Sequence, residues 1–476
     1  MQYEAVIGLE IHVELNCATK MFCDCANNPG DRPNQNTCPT CLWMPGAIPR
    51  FSRDALEHAA LTSLALNCEI QETSAFDQKV YYYPDLPKGF QLSQHHKALA
   101  KFGWLEIMGE DGNPRRLGIH HVHMEEDVAK LVHETEGRKK ISLVDFNRAG
   151  SPLVEIVTEP DMRSPHDAMM FLRALITQIR YAGTAECSMD SGTMRCDANI
   201  SLRPAGTEQM NTKVEVKNMN SIRAVGSAIE YEINRQKERL ESGRDIVLHT
   251  RLWDPEKNIT TPMRTKFAGP CVPDPSVPVI ELSREWIEKM RSRLPEMPGR
   301  KRARFAEEYN IPDDEAALMS SDLEIADYFE ELIRQGVKPR TATQWIASRL
   351  LPSLKEQGVG IAESRVTPER LAELLLLVEK DKINARAARE VLNLMFESDK
   401  PPSKIVEEKG FLQIDDSEEL ESIIEDVLSA NPDAVENFKN GKTQAIGFLV
   451  GQAMRASRGR ANPKRLREML QNKLSE

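Results

Sequence analysis

Residues 7–15 read IGLEIHVEL, and polarity alternates along them. Ile7, Leu9, Ile11 and Val13 take one side of a two-residue period; Gly8, Glu10, His12 and Glu14 take the other. That period predicts a strand with one aliphatic face. The pattern recurs. In IHHVHMEEDV (119–128), His121, His123, Glu125 and Asp127 share a face. In MRCDANISL (194–202), Arg195, Asp197, Asn199 and Ser201 oppose Cys196, Ala198, Ile200 and Leu202. KVEVK (213–217) puts Lys213, Glu215 and Lys217 together. PLVEIV (152–157) is apolar except for Glu155, a carboxylate that needs a partner or a cation in such surroundings.

These patterns predict strands at 5–15, 119–128, 141–147, 153–158, 194–202 and 213–218, and helices at 54–67, 165–182 and 223–242. Ser164-Pro165 supplies an N-cap residue and a first-turn proline for the second helix. Strand–helix–strand units do not repeat in order, so the expected class is α+β with a mostly antiparallel sheet. A proline-rich stretch, 262–298, leads out of this region. Helical patterns follow at 313–336, 341–356, 367–379 and 383–397, and Pro401-Pro402 precedes a last helical block. The expected partition is a β-rich domain over 1–294, a helical domain over 295–400 and a helical tail over 401–476.

Composition narrows the chemistry. The 476 residues are 40% hydrophobic and 28% charged, as in a soluble globular protein. The richest apolar run, Leu374 to Val378, is too short for a bilayer, and MQYEAV has no basic stretch typical of a secretory leader. A cytoplasmic protein without a membrane partner is expected. The net charge of −11 argues against a nucleic-acid footprint over the whole surface. Yet residues 454–476 hold seven Lys/Arg against two Glu, a local basic patch that includes Arg455, Arg458, Arg460, Lys464 and Arg465. Among nine cysteines, Cys23, Cys25, Cys38 and Cys41 form C-x-C…C-x-x-C. Four thiolates on two short knuckles suit tetrahedral Zn²⁺, with no position left open for catalysis.

A wet sheet face is the ordinary reading of any one polar strand side. Together these faces are weighted toward His, Glu and Asp, with Arg and Lys beside them. Carboxylates with imidazole suit Mg²⁺ or Mn²⁺, and the cations suit phosphate. The combination predicts a floor for nucleotide and phosphoryl transfer. No G-x-x-x-x-G-K-[ST] loop occurs, so an ATP site would not be of the P-loop type. The turn in YYYPDLPKGFQ (81–91) is expected to present Lys88 to an anionic ligand.

VIGLEIHVEL (6–15), CPTCLWMPGAIP (38–49), YYYPDLPKGFQLSQ (81–94), HMEEDVAKLVH (123–133), LVDFNRAGSPLVEIVTEPDMRSP (143–165), RCDANISLRP (195–204), VEVKNMNS (214–221), TRLWD (250–254) and GFLVGQAMRASRGRANP (447–463) run through nearly the whole chain. In that order they resemble the GatB family, the B subunits of the tRNA-dependent aspartyl/glutamyl amidotransferases. The resemblance implies a glutamine-synthetase-like β-rich cradle, a helical domain and a tail that grips tRNA. It implies a ligase that forms a C–N bond with glutamine as amido donor. ATP and Mg²⁺ would serve to phosphorylate the side-chain carboxylate of Glu-tRNA(Gln) or Asp-tRNA(Asn), before ammonia displaces phosphate. Ammonia would come from a glutaminase, the A subunit, and the small C subunit would complete a heterotrimer.

On the family's motifs, His12, Glu125 and Glu155 are expected to bind metal. Glu10 and Asp197 would serve a second metal or the ammonia channel. Arg148, Arg195 and Lys88 would meet phosphate or the activated carboxyl, and Lys79 and Asn147 the nucleotide. The basic tail would meet tRNA phosphates. The chain departs from the family at 265–282, TKFAGPCVPDPSVPVIEL, where an RYFP-D-like motif is usual, and the cysteine quartet belongs to only part of the family. Two rival readings are a zinc-stabilised tRNA-binding protein that has lost catalysis, and a stand-alone ligase acting on a free amino acid.

Overall fold

The computed structural model describes residues 2–137, 139–209, 211–263, 269–413, 417–439, 444–457 and 460–475. The chain divides into two compact units, 1–298 and 299–476. The first carries strands β1 (Tyr3–Glu14), β2 (Glu69–Ile70), β3 (Thr73–Val80), β4 (Phe90–Lys97), β5 (Ala100–Met108) and β6 (Pro114–Glu126). A hairpin of β7 (Lys130–Glu136) and β8 (Lys139–Asp145) follows, then β9 (Pro152–Thr158), β10 (Met194–Pro204) and β11 (Val214–Met219). Short strands β12 (Thr250–Asp254), β13 (Ile259–Pro262), β14 (Cys271–Pro273) and β15 (Ile280–Glu281) complete the set. Its helices include α1 (Arg53–Ala65), α2 (Pro165–Tyr181) and α3 (Ile222–Glu241).

The main path of the sheet runs β13-β12-β11-β10-β1-β9-β6-β4-β3-β14. Only the β11–β12 pairing is parallel among the described strands, so the α+β, mostly antiparallel expectation holds. β1 sits at the centre, between β10 and β9. Its aliphatic side, Ile7, Leu9, Ile11 and Val13, is buried in one core with Phe171, Leu172, Leu175 and Ile179 of α2 and Val225, Ala228 and Ile229 of α3. The helices thus cover one face and leave the Glu10–His12 side to the other. Ser164 starts α2 as expected, its side chain accepting from the Asp167 amide. Phe171 is fully buried, so Phe171→Ala is expected to cost about 3–5 kcal/mol in a denaturant titration.

The sequence patterns missed β3, β4 and β5. β4 buries Gln91, Ser93 and Gln94 beside Leu92, so both of its faces are inside and alternation is lost. Residues 313–336 form two helices, Asp313–Met319 and Leu323–Arg334, because Asp322 caps the second at the Glu324 amide. Within 341–356 a π turn, Ile346–Leu350, precedes Pro352, which lacks the N–H that a regular turn needs. Among its described residues the second unit holds two separate apolar clusters. One gathers Phe305, Phe329, Leu332, Leu350 and Leu371, the other Leu420, Ile424, Leu449, Leu466 and Leu470.

Candidate active site

Strand register builds the site. Arg195 of β10 lies opposite His12 of β1, His12 opposite Glu155 of β9, and Glu155 opposite His123 of β6. Neighbouring strands are about 4.8 Å apart, so one row of side chains crosses four strands. Glu155 Oε2 lies 3.2 Å from His12 Nε2 and 3.3 Å from His123 Nε2. Glu125 extends the row: its Oε2 lies 3.5 Å from His123 Nε2 and accepts from Ser93 Oγ at 3.2 Å. Lys79 Nζ of β3 is 3.9 Å from the other Glu125 oxygen. His12, Glu125 and Glu155 each offer a ligand atom within 4.8 Å of the others.

The charges respond to this crowding. Burial alone would raise the pKa of Glu155, but the His123 and His12 rings reverse that and hold it well below the usual carboxylate range. Burial opposes protonation of His123, yet Glu155 and Glu125 lift its pKa to about 9. His12 is likewise raised, burial being outweighed by the Glu155 carboxylate. The chain's own protons thus stand where a cation's charge would serve. His123 Nδ1 is buried without a hydrogen-bond partner among the described residues. The donor set, two carboxylates and an imidazole around one point, fits Mg²⁺ or Mn²⁺.

The floor continues to both sides. Burial and the nearby Glu155 raise the pKa of Glu10, which accepts from Asn199 Nδ2 at 2.8 Å. Asp197 lies opposite Glu10 and pairs with Lys217, whose ammonium also lies 2.8 Å from Glu215 Oε1. Arg195 Nη2 donates to Asp127 Oδ2 at 2.7 Å. Burial and the Asp127 carboxylate push Glu14 up to about 7. Beyond β3, Cys271 of β14 lies opposite Lys79, so the divergent segment forms a sheet edge next to the site. Its residues 265–268 lie outside the described residues.

Three residues expected to meet ligand are held by other groups of the chain. Lys88 is not presented outward: its side chain is 6% exposed, pairs with Glu126, and lies 5.5–5.9 Å from the ring centres of Phe22, Trp43 and Phe90. Asn147 is fully buried and faces the cysteine loop, donating to the Asp31 and Arg32 carbonyls and accepting from the Asn36 amide. Arg148 donates to the Val128 and Ala129 carbonyls and lies 3.5 Å from Asp127, so it braces that strand end. Sequence reasoning passed over Ser93 and the Asp127 hub. Asp127 was legible on the polar side of the 119–128 pattern, one residue past the end of β6; Ser93 carried no signal.

The Cys23, Cys25, Cys38 and Cys41 sulfurs lie within 4.8 Å of one another. Zn–S bonds of about 2.3 Å in a tetrahedron put sulfurs about 3.8 Å apart, so the quartet can close on zinc with small movements. The Cys38 amide donates to Cys41 Sγ at 3.1 Å. The Cys23 thiol, that amide and Lys20 hold the Cys41 thiol down to about 5. A third group, Cys17, Asp54 and His58, meets at the start of α1; there His58 Nδ1 is already 2.9 Å from the Asp54 carbonyl oxygen.

In the second unit, Arg455 ends helix Ala445–Ala456 and is exposed. Exposed Lys464 and half-buried Arg465 begin helix Pro463–Ser475, whose first amides donate to the Asn462 side chain. Arg460 stands between, 3.7 Å from Glu419. Arg458 lies outside the described residues. No described helix is long and apolar enough to cross a membrane.

Residues 5–288 match the family model described as the GatB/GatE catalytic domain, and residues 327–474 the model described as the GatB domain. The B subunit of an aspartyl/glutamyl-tRNA(Asn/Gln) amidotransferase from Syntrophus aciditrophicus is 62% identical over 474 residues, covering 100% of this chain and 99% of its own. The corresponding B subunits of Carboxydothermus hydrogenoformans and Thermoanaerobacter pseudethanolicus are each 45% identical, covering 100% of this chain and 99% and 100% of their own. With matches that run through both compact units, the chain belongs to the GatB family, the B subunits of the aspartyl/glutamyl-tRNA(Asn/Gln) amidotransferases.

Proposed function

We propose that this chain phosphorylates the side-chain carboxylate of Glu-tRNA(Gln) or Asp-tRNA(Asn) with ATP and passes the acyl phosphate to ammonia. The carrying observation is the meeting of His12, Glu125 and Glu155 within 4.8 Å on the polar side of the sheet, with Lys79 and Arg195 beside them. A substrate carboxylate oxygen attacks the γ-phosphorus, the bond to the β–γ bridging oxygen breaks, and ADP leaves. Ammonia then attacks the acyl carbon, and phosphate departs with the oxygen that carried out the first attack. The nucleophile is already an anion, so charge neutralisation matters more than a general base. A Mg²⁺ ion held by His12, Glu125 and Glu155 would neutralise phosphate oxygens. Lys79 and Arg195 supply fixed positive charge at the two ends of the row. Glu10 and Asp197, with Lys217 and Asn199, line a polar continuation suited to a second cation or to ammonia.

In this reading ammonia comes from glutamine through the glutaminase, or A, subunit, and the small C subunit completes a cytoplasmic heterotrimer. The cysteine quartet holds structural zinc. Residues 1–294, 295–400 and 401–476 act as cradle, helical domain and tRNA-binding tail. Nothing in the comparisons favours a tRNA-binding chain without catalysis. The test is amide formation by the chain assembled with its glutaminase and small-subunit partners, given glutamine, ATP, Mg²⁺ and each misacylated tRNA. ATP turnover that depends on the misacylated tRNA is expected. ATP turnover on free glutamate instead would replace this reading with the stand-alone ligase.

The tail makes a separate prediction. Replacing Arg455, Arg460 and Lys464 with glutamine should weaken tRNA binding and flatten its salt dependence. Each lost phosphate contact removes about 0.7–0.9 from the slope of log affinity against log salt concentration. Filter binding over a salt series reads it directly.

A further inference from the structure

We propose that the cysteine knuckle is a positioning device for the phosphoryl-transfer site, with Lys20 as its counter-charge and Asn147 as the latch that carries its state to Arg148. The inference rests on reading the quartet as a zinc site.

Lys20 is fully buried, and a buried ammonium needs an opposite charge. Its Nζ donates to the Phe146 carbonyl at 3.1 Å and lies 3.8 Å from Cys41 Sγ. Among the described residues its ammonium has no carboxylate within ion-pair distance, and the Glu126 carboxylate nearby is paired with Lys88. Four thiolates around a doubly charged cation leave two negative charges, and Lys20 stands where one of them would be balanced.

The carbonyl that Lys20 holds opens the turn leading to Arg148. Asn147 uses its whole amide on the cysteine loop: Nδ2 donates to Arg32 at 2.8 Å and to Asp31 at 3.2 Å, and Oδ1 accepts from the Asn36 amide at 2.8 Å. Asn34 reaches back, accepting from the Phe146 amide at 2.7 Å. The span between the two cysteine pairs is therefore tied to the residue before Arg148. Arg148 in turn donates to Val128 at 3.0 Å and to Ala129 at 3.2 Å. Gly150 closes the circuit at φ +88°, its amide donating to the Asp127 carbonyl at 2.9 Å. A Cβ there would lie 3.6 Å from Lys20 Cδ, 3.8 Å from Cys41 Cβ and 3.9 Å from Glu126 Oε2. Hydrogen bonds thus run from the knuckle to the strand end that follows Glu125. Metal coordination orders a loop that has little core of its own, and the order is transmitted along these bonds.

The experiment uses the full chain assembled with its partners, as wild type, Asn147→Ala and Lys20→Met, each with and without a zinc chelator. Zinc content, the thiolate absorption of a cobalt-substituted sample, amide hydrogen exchange and ATP turnover are read. Wild type should carry one zinc; chelation should speed exchange over 126–129 and 144–150 and lower kcat about tenfold, with KM for ATP little changed. Asn147→Ala should keep its zinc, start with the lower kcat, and lose little more on chelation, a non-additive cycle. Lys20→Met should hold zinc roughly ten- to a hundredfold more weakly. If Asn147→Ala does not fold, Asn147→Asp, which lacks the two donors, closes the same cycle. Equal losses on chelation in wild type and variant, or unchanged exchange over 126–129, would overturn the latch. A wild-type chain that carries no zinc and gives no cobalt–thiolate band would overturn the metal reading itself, before any variant is made.

Discussion

Glu155→Gln is expected to lower tRNA-dependent ATP turnover by at least about a hundredfold, roughly 3 kcal/mol of lost transition-state stabilisation. The substitution keeps size, exchanges one acceptor oxygen for an NH2 donor and removes one charge. That charge lies between two imidazoles, 3.2 Å from His12 and 3.3 Å from His123, and the row of β10, β1, β9 and β6 converges on it. Without it, His12 and Glu125 lose the third member of the cation-binding group. Glu125→Gln should act alike, since Glu125 also answers to Lys79 and Ser93. Both variants should keep tRNA affinity near wild type and still unfold cooperatively, at a lower midpoint because His12 and His123 lose a charge partner, which separates loss of chemistry from loss of fold. A Glu155→Gln chain with near-normal turnover would remove Glu155 from the proposed metal set.

Lys88→Met is expected to destabilise the first unit by about 3–5 kcal/mol in denaturant titration. Lys88 and Glu126 are 6% and 5% exposed, and the ammonium is enclosed by Phe22, Trp43 and Phe90. Removing the cation strands a buried carboxylate whose other partner is the Leu92 amide. The loss therefore comes from the uncompensated charge more than from the pair's own attraction. Adding Glu126→Gln to Lys88→Met should recover much of it, because the stranded charge is gone. A single variant within about 1 kcal/mol of wild type would mean that Glu126 finds its compensation elsewhere.

The central strand was legible because its two sides differ so strongly. Ile7 to Val13 had to face a core, which left Glu10 and His12 on the opposite side. The same period placed His123 with Glu125 and Arg195 with Asp197. Strand register was not legible. Nothing in one sequence says that Glu155 stands opposite both His12 and His123, or that Glu14 meets Asp127. The inward course of Lys88 was not legible because turn residues tell where a chain reverses, not which way a side chain then points. The contacts of Asn147 and Arg148 were not legible because most of their partners are backbone groups of distant segments, which leave no mark on side-chain pattern. β4 was missed because its buried residues include Gln91, Ser93 and Gln94, held by hydrogen bonds rather than by hydrophobicity.

The central claim is that the substrate carboxylate itself takes the γ-phosphoryl group. An oxygen label tests it most directly. Misacylated tRNA carrying ¹⁸O in the side-chain carboxylate is given to the assembled enzyme with ATP, Mg²⁺ and an ammonia source, and the released phosphate is analysed by mass. The account predicts one ¹⁸O atom in each phosphate formed from a doubly labelled carboxylate, in step with amide formation. Amide formation with unlabelled phosphate would mean that the carboxylate never carried the phosphoryl group, and would contradict it.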